Sequence, residues 1–378
     1  MKRDFGAKGD GVDDTDAIEE AFATANHVYF PPGTYISTSA RAISNKNIVL
    51  EGVDQLSELR FTAASGGGIS VTQNDAFVTG VTGLLITTTQ QEPGTALSVD
   101  YSAIGSLDTH RHLQFLKMRD VEIRGSNVLA DGWTKGVFMD ECHSPYLENV
   151  RIAGRRDTSG SGASEFWPGM THGIDNRSTQ DLSPTNFTFK TVRVRNAGIC
   201  FNNLGIMEGL RYENCTGVSS RDGIIDDRRE ILGADTVDPW LTVANCHFNT
   251  SQFGIRSINS SQHFIHNNLL YEFQVDLGYS GISLQTGNDP QIHSNHILGN
   301  SAAVNASVGI KVNNNNRAFI YANKLQRCDT PIEINDDAAG ISGVRAWNNI
   351  ALDNNNDEME AVVYTGTASA TSNTAVHY

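Results

Sequence analysis

The chain has 378 residues, of which 28 are basic and 43 acidic, giving a net charge of −15. This acidic balance argues against nucleic acid as the main partner. No apolar run reaches membrane-spanning length. The five cysteines lack metal-type spacing, so neither a zinc site nor a disulfide framework is indicated, and no cofactor is expected.

The first 36 residues differ from the rest of the chain. Glycines within 6–11 predict a tight loop, and the Asp-Thr-Asp run at 14–16 offers candidate helix N-caps. Glu19 is placed to complete a capping box. The helix should run to about Ala25, before a short strand and a Pro-Pro-Gly turn. We expect it to cover the open end of a strand-built core.

After this segment a short phrase recurs: a small residue, then Ile or Val, then alternating side chains. Copies recur every 22 to 37 residues, the range of stacked repeat units. The β-like runs are separated by Gly, Asn and Asp turns without helical periodicity, which predicts an all-β, parallel β-helix. The copies begin at Gly136, Gly173, Gly198, Gly223, Gly254, Gly281, Gly309 and Pro331.

A second strand-like run in each copy carries an Asn. We expect this residue to tolerate the left-handed conformation and to bond to its neighbours on adjacent coils. Cys215 and Cys246 each follow such an Asn and should stack inside the core. The series is Asn149, Asn214, Asn245, Asn268, Asn295, Asn323 and Asn349, with Thr191 in the second copy.

Side-chain alternation predicts which carboxylates face solvent. The residue after each Gly should point inward, so the second and fourth residues should point outward. This places Asp140, Asp175 and Asp227 outward, at backbone separations of about 5–10 Å, and Asp226 inward. Glycosidases hold two carboxyl groups about 5–5.5 Å apart when retaining and about 6.5–9.5 Å apart when inverting. These four aspartates are therefore the predicted catalytic residues.

Two coils are longer than the others, and insertions in a solenoid often build a binding face. Their surplus residues, 154–169 and 228–240, contain Trp and Arg, which can stack on sugars and clamp hydroxyl or acid groups. The predicted substrate-binding residues are Arg177, Arg256, Trp167, Trp240 and Arg228. An outward column is also predicted, as a structural stack or alternatively a sugar-stacking surface, at His266, His293, Tyr321 and Trp347.

The string Phe5-Gly-Ala-Lys-Gly-Asp-Gly-Val-Asp-Asp-Thr-Asp-Ala-Ile18, followed by Val28-Tyr-Phe-Pro-Pro-Gly-Thr-Tyr35, resembles the opening motif of the pectate-lyase-like β-helix superfamily. That group includes phage tailspike depolymerases, pectin-active glycosidases and alginate C5-epimerases. The resemblance implies a right-handed parallel β-helix with a short N-terminal capping helix. We predict the opening motif and capping helix in 1–36, the β-helix in 37–355, and a C-terminal strand or trimer contact in 356–378.

Within the superfamily the chain is most similar to phage tailspikes. This likeness implies a homotrimer that cuts a bacterial surface polysaccharide, capsule or O-antigen, located on the virion or outside the cell. The N-terminus has no signal-peptide core, so export would use another route or a particle.

Two relatives can be tested against the sequence. Polygalacturonases carry Asn-Thr-Asp, a paired Asp, Gly-His-Gly and Arg-Ile-Lys in that order. Here Asp226-Asp227 follows His172-Gly173, and the first and last elements are missing. The sequence therefore does not match the polygalacturonase pattern. Alginate epimerases carry Tyr-Gly-Phe-Asp-Pro-His, whereas residues 172–177 read His-Gly-Ile-Asp-Asn-Arg. Only the glycine and the aspartate match.

The main hypothesis is therefore a tailspike-type endo-glycosidase whose outward carboxylates act as acid and as base or nucleophile. One alternative is a uronan lyase or epimerase, which needs a base near the sugar C5 and a cation at its carboxylate. The other is a non-catalytic glycan-binding virion spike.

Overall fold

Short parallel strands make up most of the described chain, and they confirm the predicted parallel β-helix. The computed structural model describes residues 2–104, 114–156, 169–178, 184–228, 238–273, 278–300, 306–336, 343–352 and 363–366. Backbone contacts divide the chain into two units, Met1–Asn202 and Asn203–Tyr378. No helix in these ranges is long and apolar enough to cross a membrane.

In the first unit the coils supply strands to three parallel faces, which are numbered in the order in which each complete coil passes through them, starting from β2. Face 1 consists of β2 (His27–Tyr29), β5 (Ile48–Glu51), β8 (Thr79–Thr82), β11 (Leu116–Arg119), β14 (Tyr146–Glu148) and β17 (Thr188–Lys190). Face 2 consists of β1 (Asp10–Asp13), β3 (Gly33–Ser37), β6 (Ser57–Phe61), β9 (Leu85–Thr88), β12 (Glu122–Gly125), β15 (Arg151–Ala153) and β18 (Arg193–Arg195). Face 3 consists of β4 (Arg41–Ser44), β7 (Ile69–Thr72), β10 (Thr95–Asp100), β13 (Lys135–Asp140), β16 (His172–Ser178) and β19 (Ile199–Gly205), within which the first unit ends.

The second unit is built in the same way, but its first two long strands, β21 (Thr216–Asp227) and β23 (His247–Ile258), each run along two faces. Its face 1 consists of β20 (Leu210–Glu213), β22 (Asp238–Ala244), β24 (Ser260–His266), β27 (Gln291–His293), β30 (Phe319–Tyr321) and β33 (Arg345–Trp347). Face 2 continues with β25 (Leu269–Glu272), β28 (His296–Leu298), β31 (Lys324–Gln326) and β34 (Ile350–Leu352). Face 3 continues with β26 (Ser280–Asn288), β29 (Val308–Asn316), β32 (Thr330–Asp336) and β35 (Val363–Gly366).

The N-terminal segment contains α1 (Lys2–Phe5) and the capping helix α2 (Thr15–Thr24). The predicted capping box is wrong. The Asp14 carboxylate instead accepts hydrogen bonds from the Lys8 and Gly9 N–H groups at 2.7 and 3.0 Å, and so holds the glycine loop. Glu19 pairs with the buried Arg41 at 2.8 Å, which fixes α2 against β4.

The residue after the small residue forms the predicted inward aliphatic column in seven of the eight copies. All seven side chains are buried: Val137, Ile174, Ile224, Ile255, Ile282, Ile310 and Ile332. The Gly198 copy is the exception, because Ile199 is half-buried and Cys200 is fully buried. The burial pattern of β19 matches that of β16 when Phe201 is aligned with Ile174, so this copy is shifted by two residues.

The Asn series occupies two positions rather than one. Asn149, Asn214 and Asn245 adopt the left-handed backbone, as does Thr191. In later coils the preceding residue is left-handed, and Asn268, Asn295, Asn323 and Asn349 are buried. Cys215 and Cys246 are also buried, and the Cys246 N–H donates to Asn268 Oδ1 at 2.8 Å, which confirms that the cysteines stack inside.

Asn295 shows how the buried column is held. Its Oδ1 accepts hydrogen bonds from the backbone N–H and the side-chain Nδ2 of Asn268 at 3.1 and 2.9 Å. Its Nδ2 donates to Asn323 Oδ1 at 3.0 Å and to the Ile265 carbonyl at 2.9 Å. One side chain therefore satisfies polar groups on the two coils adjacent to its own, where no water would replace it.

We predict that Asn295→Ala lowers the free energy of unfolding by about 3 kcal/mol, because several buried polar groups lose their partners together. Urea titration measures the loss. Ser294→Ala is the matched control, since Ser294 is the exposed neighbouring residue in the same turn. Equal losses of unfolding free energy in both variants would contradict a stabilising role of the buried Asn column.

Candidate functional site

The candidate site lies on face 3 of the first unit, where two outward columns run side by side across β7, β10, β13 and β16. One column aligns Ser70, Ser98, Phe138 and Asp175. The other aligns Thr72, Asp100, Asp140 and Arg177. Adjacent parallel strands lie about 4.8 Å apart, so neighbours within a column can contact one another.

Asp140 is half-buried, and its neighbour in the column is Asp100, which is also half-buried. Asp100 was missed by the sequence analysis. The Ser102 N–H donates to Asp100 Oδ1 at 2.8 Å, which fixes the orientation of this carboxylate. Asp140 and Asp175 are on neighbouring strands but in different columns, because Asp140 is opposite Arg177 and Asp175 is opposite Phe138.

Asp175 was predicted to face solvent, and this is wrong: the residue is 0% exposed. Its side chain leaves the strand on the side away from Ile174, but neighbouring side chains cover it. Asn202 Nδ2 donates to Oδ1 at 2.8 Å, and the Arg177 guanidinium donates to Oδ2 at 3.1 Å. The Lys135 ammonium also donates to Oδ2.

Electrostatics decides what Asp175 can do. Burial raises the pKa of this carboxyl, but the hydrogen bonds from Lys135 and Asn202 and the electrostatic effects of His172 and Lys135 together outweigh burial, so the pKa lies below its usual value. A carboxyl that stays ionised is a poor proton donor at neutral pH. Asp175 therefore fits a role as the anion that positions two cations.

Those two cations border Phe138. Lys135 Nζ lies 5.1 Å and Arg177 Cζ lies 5.6 Å from the centroid of its ring, within the range of cation–π attraction. Lys135 and Arg177 are partly exposed, with side-chain exposures of 23% and 36%, so their outer N–H groups can reach a ligand. The site thus combines a partly exposed carboxylate pair with a pair of fixed cations.

In the second unit, Asp226 points inward as predicted, but its predicted catalytic role is wrong, because its side chain is inaccessible to a substrate. It is fully buried, accepts a hydrogen bond from Ser257 Oγ at 3.0 Å, and pairs with Arg228 at 3.2 Å. Arg228 was predicted to bind substrate, and this is wrong, because it is 1% exposed and also donates to the Met207 carbonyl. Burial, together with the Arg228 charge, lowers the pKa of the nearby His263 to about 3. These buried polar contacts therefore stabilise the interior of the second unit.

Three other predicted residues of the second unit are accessible. Asp227 is half-buried and aligned with Ile258. Arg256 is half-buried, and its Cζ lies 4.9 Å from the Phe253 ring centroid. Trp240 is 58% exposed, and its Nε1 donates to Gln262 Oε1.

Trp167 and most of the two surplus segments, 154–169 and 228–240, lie outside the described residues. Among the residues that are described, no three or more His, Cys, Asp and Glu side chains are arranged to hold a metal ion.

We predict that Asp175→Asn lowers the free energy of unfolding at pH 7 by about 2 kcal/mol, because Lys135 and Arg177 lose their shared anion. The folded-state pKa is lowered, so the stabilisation exists above the unfolded value of about 3.9 and is lost as pH falls. The difference from the unmodified protein should therefore narrow between about pH 5 and pH 3.

Urea titrations across this pH range provide the measurement. Asp289→Asn is the control, because it removes a carboxylate from an exposed ion pair with Arg317. A difference that is absent, or that stays constant with pH, would contradict the assigned role of Asp175.

Comparison with known proteins identifies the family to which the chain belongs. Residues 2–225, more than half of the chain, match the model of the family described as rhamnogalacturonase A/epimerase, pectate lyase-like. Residues 230–377 match the model of a right-handed β-helix region, in agreement with the predicted handedness. No curated protein matches the chain.

Several solved structures are similar in fold. The catalytic unit of a GH87 α-1,3-glucanase from Streptomyces thermodiastaticus has a TM-score of 0.44 and 13% identity, with 96% of this chain and 68% of that chain covered. The A-module of the mannuronan C-5 epimerase AlgE6 from Azotobacter vinelandii has a TM-score of 0.40 and 13% identity, with 97% and 99% covered. Tailspike protein 3 of bacteriophage CBA120 has a TM-score of 0.45 and 12% identity, with 97% and 62% covered.

Proposed function

This chain belongs to the rhamnogalacturonase A/epimerase, pectate-lyase-like family, and on that premise we propose that it hydrolyses glycosidic bonds of a polysaccharide. The proposed site is face 3 of the first unit. The observation that carries the proposal is the alignment of Asp100 with Asp140 on adjacent strands, both with part of their surface exposed.

The spacing of this pair suits a glycosidase that uses two carboxyl groups. Neighbours in a parallel column are about 4.8 Å apart at the backbone, close to the roughly 5–5.5 Å carboxyl separation of retaining enzymes. One carboxylate would attack the anomeric carbon while the other, protonated, donates its proton to the leaving oxygen. The second group would then take a proton from water, and the resulting attack releases the sugar from the first.

The neighbouring cations would orient the substrate. Asp175 holds Lys135 and Arg177 beside Phe138, so their remaining N–H groups could bind sugar hydroxyl or acid groups next to the carboxylate pair. Fixed donors of this kind lower the cost of orienting a flexible chain. Asp175 is thus proposed as a positioning residue, and Asp140 keeps the catalytic role expected from the sequence.

The substrate class and setting are proposed from the resemblance of the chain, within the superfamily, to phage tailspikes. The substrate would be a bacterial capsule or O-antigen, the assembly a homotrimer, and the location the virion or the extracellular space. Asp227, Arg256 and Trp240, which have accessible surface in the second unit, keep their predicted roles as a further candidate group.

A second candidate function is a uronan lyase or epimerase. The observation that favours it is the pair of cations, Lys135 and Arg177, fixed around one buried aspartate, because such cations can neutralise a sugar carboxylate before proton removal at C5. A non-catalytic glycan-binding spike is the third candidate and would use the same surface without chemistry.

We predict that Asp100→Asn and Asp140→Asn each reduce release of reducing ends from the polysaccharide substrate by about 10²–10⁴-fold, because each removes one partner of the pair. The substrate is found by screening capsular and O-antigen polysaccharides with the unmodified protein. Circular dichroism confirms that the variants are folded.

Asp227→Asn is the comparison variant. If Asp227→Asn abolishes activity while Asp100→Asn and Asp140→Asn keep it, the proposed site on face 3 of the first unit is contradicted. A catalytic site in the second unit is then favoured. Products with the ultraviolet absorbance of unsaturated uronate would instead identify a lyase.

A further inference from the structure

Face 1 of the second unit carries an unusual outward surface, which we name the aromatic strip. It comprises two columns aligned across β24, β27, β30 and β33. The first column consists of Phe264, Gln291, Phe319 and Arg345, and the second of His266, His293, Tyr321 and Trp347. All eight side chains have exposed surface, and six are aromatic.

The second column is a continuous stack of rings. Ring centroids are 5.1 Å apart between His266 and His293, 4.7 Å between His293 and Tyr321, and 4.7 Å between Tyr321 and Trp347. The angles between the planes of these successive rings are only 3°, 11° and 12°. Phe319 packs edge-on against Trp347. Because the rings already hold one another, a ligand would not have to order them on binding.

The polar groups on these rings point to a ligand. Within the described ranges, the Tyr321 hydroxyl and the Trp347 Nε1–H have no hydrogen-bond partner, and the His266 Nδ1 is buried without one. In the same ranges, the side chains of Gln291 and Arg345 form neither side-chain hydrogen bonds nor ion pairs. The strip therefore presents a hydroxyl, an indole N–H, an amide and a guanidinium on a rigid aromatic base.

Face 1 of the first unit differs from the aromatic strip, because its outer surface carries paired charged side chains. There Glu148 pairs with Arg119 at 2.9 Å and with Lys190 at 3.1 Å, so its charged groups satisfy one another. The aromatic strip contains no carboxylate, and its one fixed charge is that of Arg345. It can thus accept either a neutral or an acidic partner, although the chain as a whole is strongly acidic.

We propose that the aromatic strip binds an oligosaccharide segment, as a non-catalytic site distinct from the Asp100–Asp140 pair. The choice of a sugar rests on the proposed function. Sugar rings have apolar faces that pack on aromatic side chains such as Phe264 and Phe319, and hydroxyl groups that pair with amide, guanidinium, hydroxyl and indole donors. Because adjacent coils lie about 4.8 Å apart, successive sugar units of an extended chain would meet the aromatic and polar side chains of successive coils.

The test uses protein carrying Asp140→Asn, so that bound glycan is not cleaved, and an array of capsular and O-antigen polysaccharides as the probe. A strip variant adds Tyr321→Phe, Trp347→Phe and Arg345→Ala, which removes three polar groups but keeps an aromatic side chain at each aromatic position. We expect at least about tenfold weaker binding, the effect of roughly 1.4 kcal/mol of lost hydrogen bonding. Arg119→Ala on the first unit is the control and should bind normally.

Thermal unfolding and sedimentation of each variant complete the experiment. Unchanged binding by the folded strip variant, or an array that captures no glycan on the Asp140→Asn protein, overturns the proposal. A change in oligomeric state with unchanged binding also overturns it and assigns the strip to a subunit interface. Strip-dependent binding without cleavage by the unmodified protein supports the strip but refutes the proposed hydrolysis. Cleavage that depends on Asp140, together with binding that does not depend on the strip, supports the proposed hydrolysis but refutes the strip as a glycan-binding site.

Discussion

Parallel pairing between successive coils is the interaction on which the rest of this structure depends. Every backbone N–H and C=O inside a coil must be satisfied by the next coil, and a slip of one residue would turn every side chain to the other side. Val137 and Ile174 are therefore buried one above the other, while Asp140 and Arg177 are aligned on the outside. The same constraint builds the core and the candidate site.

Much of the fold could be predicted because the repeats record this register in the sequence. The aliphatic residue after the small residue is buried in seven of the eight copies. The Asn fourteen residues after Gly254, Gly281 and Gly309 is buried at one equivalent position. Earlier coils were missed because their signal is weaker. Leu97 is aligned with both Ile69 and Val137, but Ala96 stands where the two neighbouring coils have Gly68 and Gly136. Allowing Ala at this position would have identified the coil and, with it, Asp100.

The candidate site was less predictable, because alternation gives the direction of a side chain but not what covers it. Asp175 leaves its strand on the outer side and is still fully buried, since Lys135, Arg177 and Asn202 close over it. Asn202 reaches this position only because its copy is shifted by two residues. For Arg228 the reverse holds: a residue expected in a surface loop is drawn inside by the buried Asp226.

The most direct measurement of the central claim, that coil stacking brings two carboxylates one rung apart into a working pair, is the stereochemistry of hydrolysis. Proton NMR of the first sugar released reports its anomeric configuration before it equilibrates. We predict retention, because aligned residues on neighbouring coils are separated by a distance near the roughly 5–5.5 Å of retaining enzymes. Inversion would contradict it, because room for a water molecule requires carboxylates about 6.5–9.5 Å apart.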